Sequence, residues 1–116
     1  MIYVLQHSDK GHAGRLGATL RDHGFKLRTI RPDRGDALPP DLDDVEGLVL
    51  LGGPQNVTDI EKHPWMQQEA ALVRAAHAKE LPVIGICLGA QIIAHALGGK
   101  VTPRENESMV ATVLWG

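Results

Sequence analysis

Short runs of apolar residues recur along the chain at residues 2–5, 47–51 and 81–86, and segments with helical spacing lie between them. Runs of this length without polar alternation are typical of strands buried on both faces, as in a parallel sheet. Residues 26–30 instead alternate polar and apolar side chains, which predicts an edge strand. We therefore predict an α/β fold in which helices cover both faces of a mostly parallel sheet, in three layers.

Three segments have the apolar spacing of amphipathic helices. The first opens at Leu16 and can end at Gly24, which suits a C-terminal cap. The second begins at Pro64, because proline fits the first turn of a helix. Its predicted apolar face is Trp65, Leu72, Val73 and Ala76. The third follows Cys87 and stops at the glycine pair at residues 98–99. Its predicted buried stripe is Leu88, Ile92, Ile93, Ala96 and Leu97.

Composition narrows the class of protein. The 116 residues are 43% hydrophobic and 22% charged, with a formal net charge of −2, as in ordinary soluble domains. We expect one domain over residues 1–116, with residues 31–46 as a surface connection containing one helical turn. Mixed charges without a basic stripe predict neither a nucleic-acid nor a membrane partner. A single cysteine and an N-terminal apolar run too short for a signal peptide predict a cytoplasmic protein.

The chemistry-bearing stretch is residues 83–101, where the only cysteine, Cys87, lies between Gly85 and Gly89. An apolar strand, a tight glycine-flanked turn and a helix form the context of a nucleophile elbow. Glycine neighbours leave a side chain at the tip of such a turn accessible, and a helix N-terminus favours thiolate over thiol. The alternative is a buried core thiol, but paired glycines at a strand-to-helix junction favour the nucleophile.

A second glycine motif, Gly52 and Gly53 before Pro54, ends the strand at residues 47–51. Taken alone it could be a simple turn. The carboxyl ends of parallel strands meet at one edge of the sheet, which is where ligands bind in such folds. We therefore expect the two glycine motifs to form one site.

The motifs LGGP at residues 51–54 and GICLGAQ at residues 85–91 resemble those of class I, triad-type glutamine amidotransferases. The nearest similarity is to stand-alone proteins that resemble the glutaminase half of GMP synthase, and it covers about residues 1–104, the first half of such a domain. The resemblance implies a flavodoxin-like fold. It also implies hydrolysis of the glutamine side-chain amide through a Cys87 thioester, with ammonia passed to an acceptor.

The resemblance assigns roles to further residues. It implies an oxyanion hole formed by the backbone N–H groups of Gly53 and Leu88. Gly52 would allow the loop to approach the substrate closely, and Gln91 would help to hold the amino-acid end of glutamine. Gln91 is a polar position on an otherwise apolar helix, so the alternative is that it faces solvent.

The family places a histidine and a glutamate downstream of the nucleophile, and none of residues 102–116 is a histidine. His95 lies two turns along the elbow helix, too far to serve as base, whereas His7 and His12 follow the first strand at the functional edge and remain candidates. We expect the chain to be a truncated, frameshifted or partial form of the domain, and the alternative is a genuinely short protein. An exposed core face would then give poor solubility or self-association.

Two other functions remain open. One is a non-catalytic module that keeps the fold and a glutamine-like pocket and binds a partner enzyme. The other is a different cysteine-elbow hydrolase, such as a γ-glutamyl peptidase. No cofactor is expected, and no metal, because the histidines are scattered and the cysteine has no ligand partner at metal-site spacing. Without a phosphate-binding glycine loop, the ammonia acceptor would belong to a synthetase domain or subunit supplied from elsewhere.

Overall fold

The computed structural model describes residues 1–9, residues 13–98 and, by backbone alone, residues 110–113. Within them, five strands form one sheet, β1 Ile2–Leu5, β2 Leu27–Ile30, β3 Gly47–Leu50, β4 Val83–Ile86 and β5 Val110–Val113. Their order is β2-β1-β3-β4-β5. The first four strands pair in parallel, and β5 runs antiparallel to β4. The prediction of a mostly parallel sheet with β2 at its edge is confirmed.

Three α-helices connect the strands in the described part of the chain, α1 Gly14–Asp22, α2 Pro64–Ala78 and α3 Leu88–Ala96. Two 3₁₀ segments, Pro32–Arg34 and Val57–Lys62, lie in the connections that precede and follow β3. Pro64 occupies the first turn of α2, as its fixed φ predicts. Gly24, with φ of 87°, follows the end of α1, where a left-handed residue reverses the chain.

Helices cover both faces of the sheet, because alternate side chains along β3 belong to two different hydrophobic clusters. Leu48 and Leu50 join the cluster that contains the buried side chains of α2 and α3. Val49 and Leu51 join a second cluster, against which Leu16 of α1 packs. Successive side chains of a strand point to opposite faces, so the helices form layers on both sides of the sheet. The three-layer α/β/α arrangement is confirmed.

Two expectations about burial need correction. The apolar spacing predicts Leu97 in the buried stripe of α3, but this residue lies just past the last helical residue and is 37% exposed. Gly98, with φ of 87°, turns the chain there, so the stripe ends at Ala96. The connection at residues 31–46 contains the expected single helical turn. It is not wholly on the surface, because Leu42 and Val45 are buried in the core.

Candidate active site

Cys87 lies at the junction between β4 and α3, at the carboxyl end of a central strand. Its backbone has φ of 52° and ψ of −113°, a combination that non-glycine residues rarely adopt. Such a conformation costs on the order of 1–3 kcal/mol and persists only where the surrounding structure enforces it. The half-buried thiol therefore stands on a strained strand-to-helix turn, the geometry of a nucleophile elbow.

The two glycines that flank Cys87 are required by backbone packing. A Cβ built on Gly89 would lie 2.0 Å from the carbonyl oxygen of Leu50, and one on Gly85 would lie 2.7 Å from the backbone nitrogen of Ala90. Neither obstacle is a flexible side-chain end, so no rotamer change relieves it. These glycines let the first turn of α3 pack directly onto β3 and β4, which fixes the elbow.

Residues 51–53, called the glycine loop below, leave β3 beside this elbow. A Cβ built on Gly52 would lie 3.4 Å from Cys87 Cβ and 3.9 Å from its Sγ. A Cβ built on Gly53 would lie 3.3 Å from Cδ2 of Leu88. The structure thus brings together four of the five residues that the sequence singled out, from the ends of two strands that are distant along the chain.

Gln91, the fifth, lies one turn beyond Cys87 on α3, and its backbone N–H donates to the Cys87 carbonyl. It is only 8% exposed, so the alternative of a solvent-facing glutamine is wrong. Its Oε1 accepts a hydrogen bond of 3.2 Å from the backbone N–H of Val57. Gln91 therefore attaches the 3₁₀ segment Val57–Lys62 to the elbow helix.

The sequence did not reveal that His7 and Glu69 form a buried pair. His7 Nε2 lies 2.8 and 2.9 Å from the two carboxyl oxygens of Glu69, and both side chains are fully buried. His7 Nδ1 lies 2.8 Å from the Leu51 carbonyl oxygen in the glycine loop. The Trp65 ring stacks on the imidazole with centroids 5.3 Å apart. One signal was available: Glu69 lies midway between Trp65 and Val73 on the apolar stripe of α2.

Burial is the main cause that raises the pKa of the Glu69 carboxyl above its ordinary value. The hydrogen bond and the charge of His7 act in the opposite direction, and the Asp33 carboxylate raises the pKa further. Because the Leu51 carbonyl can only accept, His7 Nδ1 must carry a hydrogen. Both ring nitrogens are thus engaged, and His7 cannot take a proton from Cys87 in this arrangement.

The sequence also drew attention to His95 and His12. His95 is exposed in the last turn of α3, where it lines a shallow groove with Glu61 and Arg74. His12 lies outside the described residues. In the part of the chain that the structure describes, no three His, Cys, Asp or Glu side chains cluster at metal-binding distances. None of the described helices is both long and apolar enough to span a bilayer.

Arg31 organises a charged cluster beyond the end of β2. Its guanidinium donates hydrogen bonds of 3.0 and 2.9 Å to the Asp33 carboxylate and one of 2.8 Å to Asp9. These bonds lower the pKa of both carboxyls and raise that of Arg31. Asp33 also interacts electrostatically with His7 and Glu69, so the cluster contributes a negative charge close to the buried pair.

Comparison with known proteins gives a consistent picture. The sequence profile of the family described as glutamine amidotransferase class-I matches residues 10–114. A glutamine amidotransferase-like protein of Salmonella typhimurium is 36% identical over 103 residues, which are 86% of this chain and 43% of that protein. One subunit of the glutamine-hydrolysing GMP synthase of Methanococcus aeolicus is 41% identical over 107 residues, which are 92% of this chain and 51% of the relative. The chain spans about half the length of these relatives.

Solved structures agree with the architecture. A glutamine amidotransferase from Methylobacillus flagellatus has a TM-score of 0.82 and 40% identity, over 87% of this chain and 40% of its own. A glutamine amidotransferase from Thermotoga maritima has a TM-score of 0.76 and 29% identity, over 84% of this chain and 42% of its own. The expectation of a flavodoxin-like fold is confirmed.

Proposed function

This chain belongs to the class I glutamine amidotransferase family, and from that premise we propose that it carries the nucleophile and the oxyanion hole of a glutaminase site. The Cys87 thiolate attacks the side-chain amide carbon of glutamine, forming a C–S bond and a tetrahedral oxyanion. Collapse of this intermediate breaks the C–N bond. The nitrogen takes up a proton and leaves as ammonia, and water then hydrolyses the γ-glutamyl thioester to glutamate.

The oxyanion hole is assigned to the backbone N–H groups of Gly53 and Leu88. A Cβ on Gly53 would lie 3.3 Å from Leu88 Cδ2, so the glycine loop runs close to the first residue of α3, and Gly52 lies next to the Cys87 side chain. Donors fixed before the reaction stabilise developing negative charge without reorganisation, and each is worth on the order of 10²–10³ in rate. The N-terminus of α3 adds its partial positive charge at the same point.

The substrate contacts are assigned to Gly52 and Gln91. Without a Cβ, Gly52 leaves the space beside Cys87 Sγ open for the amide of the substrate. Because Gln91 Oε1 is engaged by the Val57 N–H, its NH₂ group is the part offered to the substrate, where it can donate to the α-carboxylate. Gln91 would then both shape the pocket and hold the amino-acid end of glutamine.

The acid–base step and the ammonia acceptor lie outside the described site. The leaving nitrogen needs a proton donor, and neither His7, with both ring nitrogens engaged, nor the exposed His95 supplies one. Several similar proteins are named as glutamine-hydrolysing GMP synthases or as one of the subunits of such an enzyme. By analogy, we propose that the ammonia is passed to a synthetase domain or to a separate synthetase chain.

A non-catalytic binding module is the second candidate, and the engagement of both His7 ring nitrogens favours it, because that histidine cannot act as a base for Cys87. The strained backbone of Cys87 weighs against it, because a binding module has no reason to maintain a costly conformation at a cysteine. This strained, glycine-flanked cysteine beside the glycine loop is the observation that carries the glutaminase proposal.

Incubation of the purified chain with a chloroketone analogue of L-glutamine, followed by intact-mass and peptide analysis, tests this proposal. We expect stoichiometric modification at Cys87 that excess L-glutamine blocks and excess D-glutamine does not. Cys87→Ser should abolish the modification. Labelling that both enantiomers leave unchanged would mean that the pocket does not recognise glutamine, and it would refute the glutaminase assignment.

A further inference from the structure

We propose that His7, held in place by Glu69, is a positioning residue for the glycine loop and so sets the oxyanion donor of Gly53 beside Cys87. The inference rests on the proposed function, because it assigns the buried pair a role in that same site. It concerns residues upstream of the elbow, next to β1 and on α2, that touch no substrate.

The first support is a hydrogen bond into the loop itself. His7 Nδ1–H donates to the Leu51 carbonyl oxygen at 2.8 Å, and the Leu51 N–H donates to the Leu5 carbonyl at 2.9 Å. The Leu51 carbonyl shares its peptide plane with the Gly52 nitrogen. The histidine therefore fixes the orientation of the peptide plane between Leu51 and Gly52, which a glycine-rich segment would otherwise leave loosely defined.

The second support is direct packing against Gly53. The position of a Cβ on Gly53 lies 2.8 Å from the His7 Cβ and 3.3 Å from Leu88 Cδ2. Gly53 thus has no room for a side chain between His7, which follows β1, and Leu88 of the elbow helix. His7 acts on the loop both as a hydrogen-bond donor and as a steric stop.

Glu69 keeps His7 in the tautomer that this role requires. The pair shares one proton, either as imidazolium and carboxylate or as neutral imidazole and carboxylic acid, and Nδ1 carries its hydrogen in both forms. Without Glu69, the buried Nε2 would lose its partner, and a buried polar atom without a partner is destabilising. The stacked Trp65 ring closes one face of the imidazole. The imidazole of His7 is therefore held in one orientation, with its Nδ1–H directed at the Leu51 carbonyl.

Two substitutions separate the two hydrogen bonds of His7. The amide nitrogen of asparagine is as many bonds from Cα as Nδ1, so His7→Asn can still donate to Leu51. The amide nitrogen of glutamine is as many bonds from Cα as Nε2, so His7→Gln can reach Glu69 but not Leu51. A third variant, Glu69→Gln, keeps a partner for Nε2 and leaves the Nδ1 hydrogen in place.

The readout compares two reagents on Cys87 of the full chain. The chloroketone analogue of glutamine passes through a tetrahedral oxyanion, whereas iodoacetamide alkylates the thiolate without one. The ratio compared is the rate of Cys87 modification by the chloroketone divided by that by iodoacetamide. For His7→Gln we expect this ratio to fall about 10- to 100-fold, since displacement of an oxyanion donor slows a reaction by about that factor. For His7→Asn and Glu69→Gln the ratio should stay within about threefold of the unsubstituted chain, because the donor bond to Leu51 is retained.

Hydrogen exchange of the Gly52 and Gly53 amides, followed by NMR in the same four proteins, provides a readout that does not depend on catalysis. We expect faster exchange in His7→Gln than in His7→Asn. The positioning role would be overturned if His7→Gln lost labelling rate equally with both reagents, or if the Gly52 and Gly53 amides exchanged equally fast in the two His7 variants. It would also be overturned if the rate ratio in Glu69→Gln were as low as in His7→Gln. If His7→Gln does not fold, His7→Phe, which keeps a ring but has no donor for Leu51, takes its place in both comparisons.

Failure of the proposed function gives a different pattern. In that case the unsubstituted chain itself shows no glutamine-protected labelling by the chloroketone, whatever the variants do. The amide-exchange comparison then still reports whether His7 holds the glycine loop.

Discussion

A Cβ added to Gly89 would lie 2.0 Å from the carbonyl oxygen of Leu50, so the elbow helix passes over β3 with no room for a side chain. Alanine at this position must push α3 away from the sheet. We expect Gly89→Ala to lower the free energy of unfolding by about 3 kcal/mol or more, at the upper end of overpacking effects. Urea unfolding monitored by circular dichroism measures it.

The control for that substitution is the reverse exchange in the same helix. Ala94→Gly should cost only about 1 kcal/mol, the ordinary difference in helix propensity. A Gly89→Ala variant as stable as the unsubstituted chain would show that α3 does not pack on β3 as closely as described.

The strained backbone of Cys87 predicts a stabilising substitution. Glycine adopts φ of 52° freely, whereas alanine retains the Cβ that causes the strain. We expect the free energy of unfolding of Cys87→Gly to be about 1–3 kcal/mol higher than that of Cys87→Ala. At most positions the alanine variant would be the more stable of the two. Thermal or urea denaturation of the two variants checks this. If Cys87→Ala were the more stable, the elbow would not be strained.

Gln91 is expected to have two separable tasks. Gln91→Glu keeps an acceptor for the Val57 N–H but removes the NH₂ donor and adds a negative charge, so the fold should survive while glutamine binding weakens. We expect the glutamine concentration that protects Cys87 to rise at least about tenfold, as for a lost hydrogen bond to a charged group. Gln91→Leu should show the same weakening together with a loss of stability. Unchanged protection in Gln91→Glu would remove Gln91 from the substrate site.

Stability at low pH should depend on Asp33. The Arg31 hydrogen bonds lower its pKa in the folded chain below its ordinary value of 3.8. Above that value Asp33 is ionised in both states, so its contribution is fully present. As the pH falls further, the unfolded state binds the proton first, and the contribution is lost as the pH passes through the lowered pKa of the folded chain.

The measurement is the unfolding free energy of the unsubstituted chain and of Asp33→Asn between about pH 6 and pH 2.5. We expect their difference to shrink as the pH is lowered. On an Arg31→Met background, which lacks the guanidinium, the same difference should vary much less with pH. A difference that is independent of pH in the unsubstituted background would contradict the ion pair.

The strands and the elbow could be predicted because their signals are local. Apolar runs such as residues 47–51, and glycines on either side of Cys87, indicate structure within a few residues of themselves. The pairing of His7 with Glu69 joins residues 62 positions apart and depends on how α2 packs on the sheet. The sequence indicated this pair only through Glu69, a charged residue on the apolar stripe of α2. Its partner could not be identified without the fold.

The remaining misjudgements have the same origin. Leu97 has the right spacing for the stripe of α3, but the helix ends before it, and the exact end of a helix is set by its capping geometry. Leu42 and Val45 lie in a segment rich in Pro, Asp and Gly, where composition masks two side chains that reach the core. Gln91 has the position expected of a pocket residue, but its bond to Val57 depends on a 3₁₀ segment that the sequence did not indicate.

The central claim is that Cys87 forms a γ-glutamyl thioester on this scaffold. The most direct measurement is intact-mass analysis of the chain after incubation with the γ-(p-nitrophenyl) ester of L-glutamate, whose leaving group departs without a proton donor, and rapid acid quenching, with Cys87→Ala in parallel. We predict one glutamyl adduct on Cys87, absent from the variant, that hydroxylamine removes as γ-glutamylhydroxamate. A folded chain whose cysteine reacts with iodoacetamide but never acquires the glutamyl group would contradict the account.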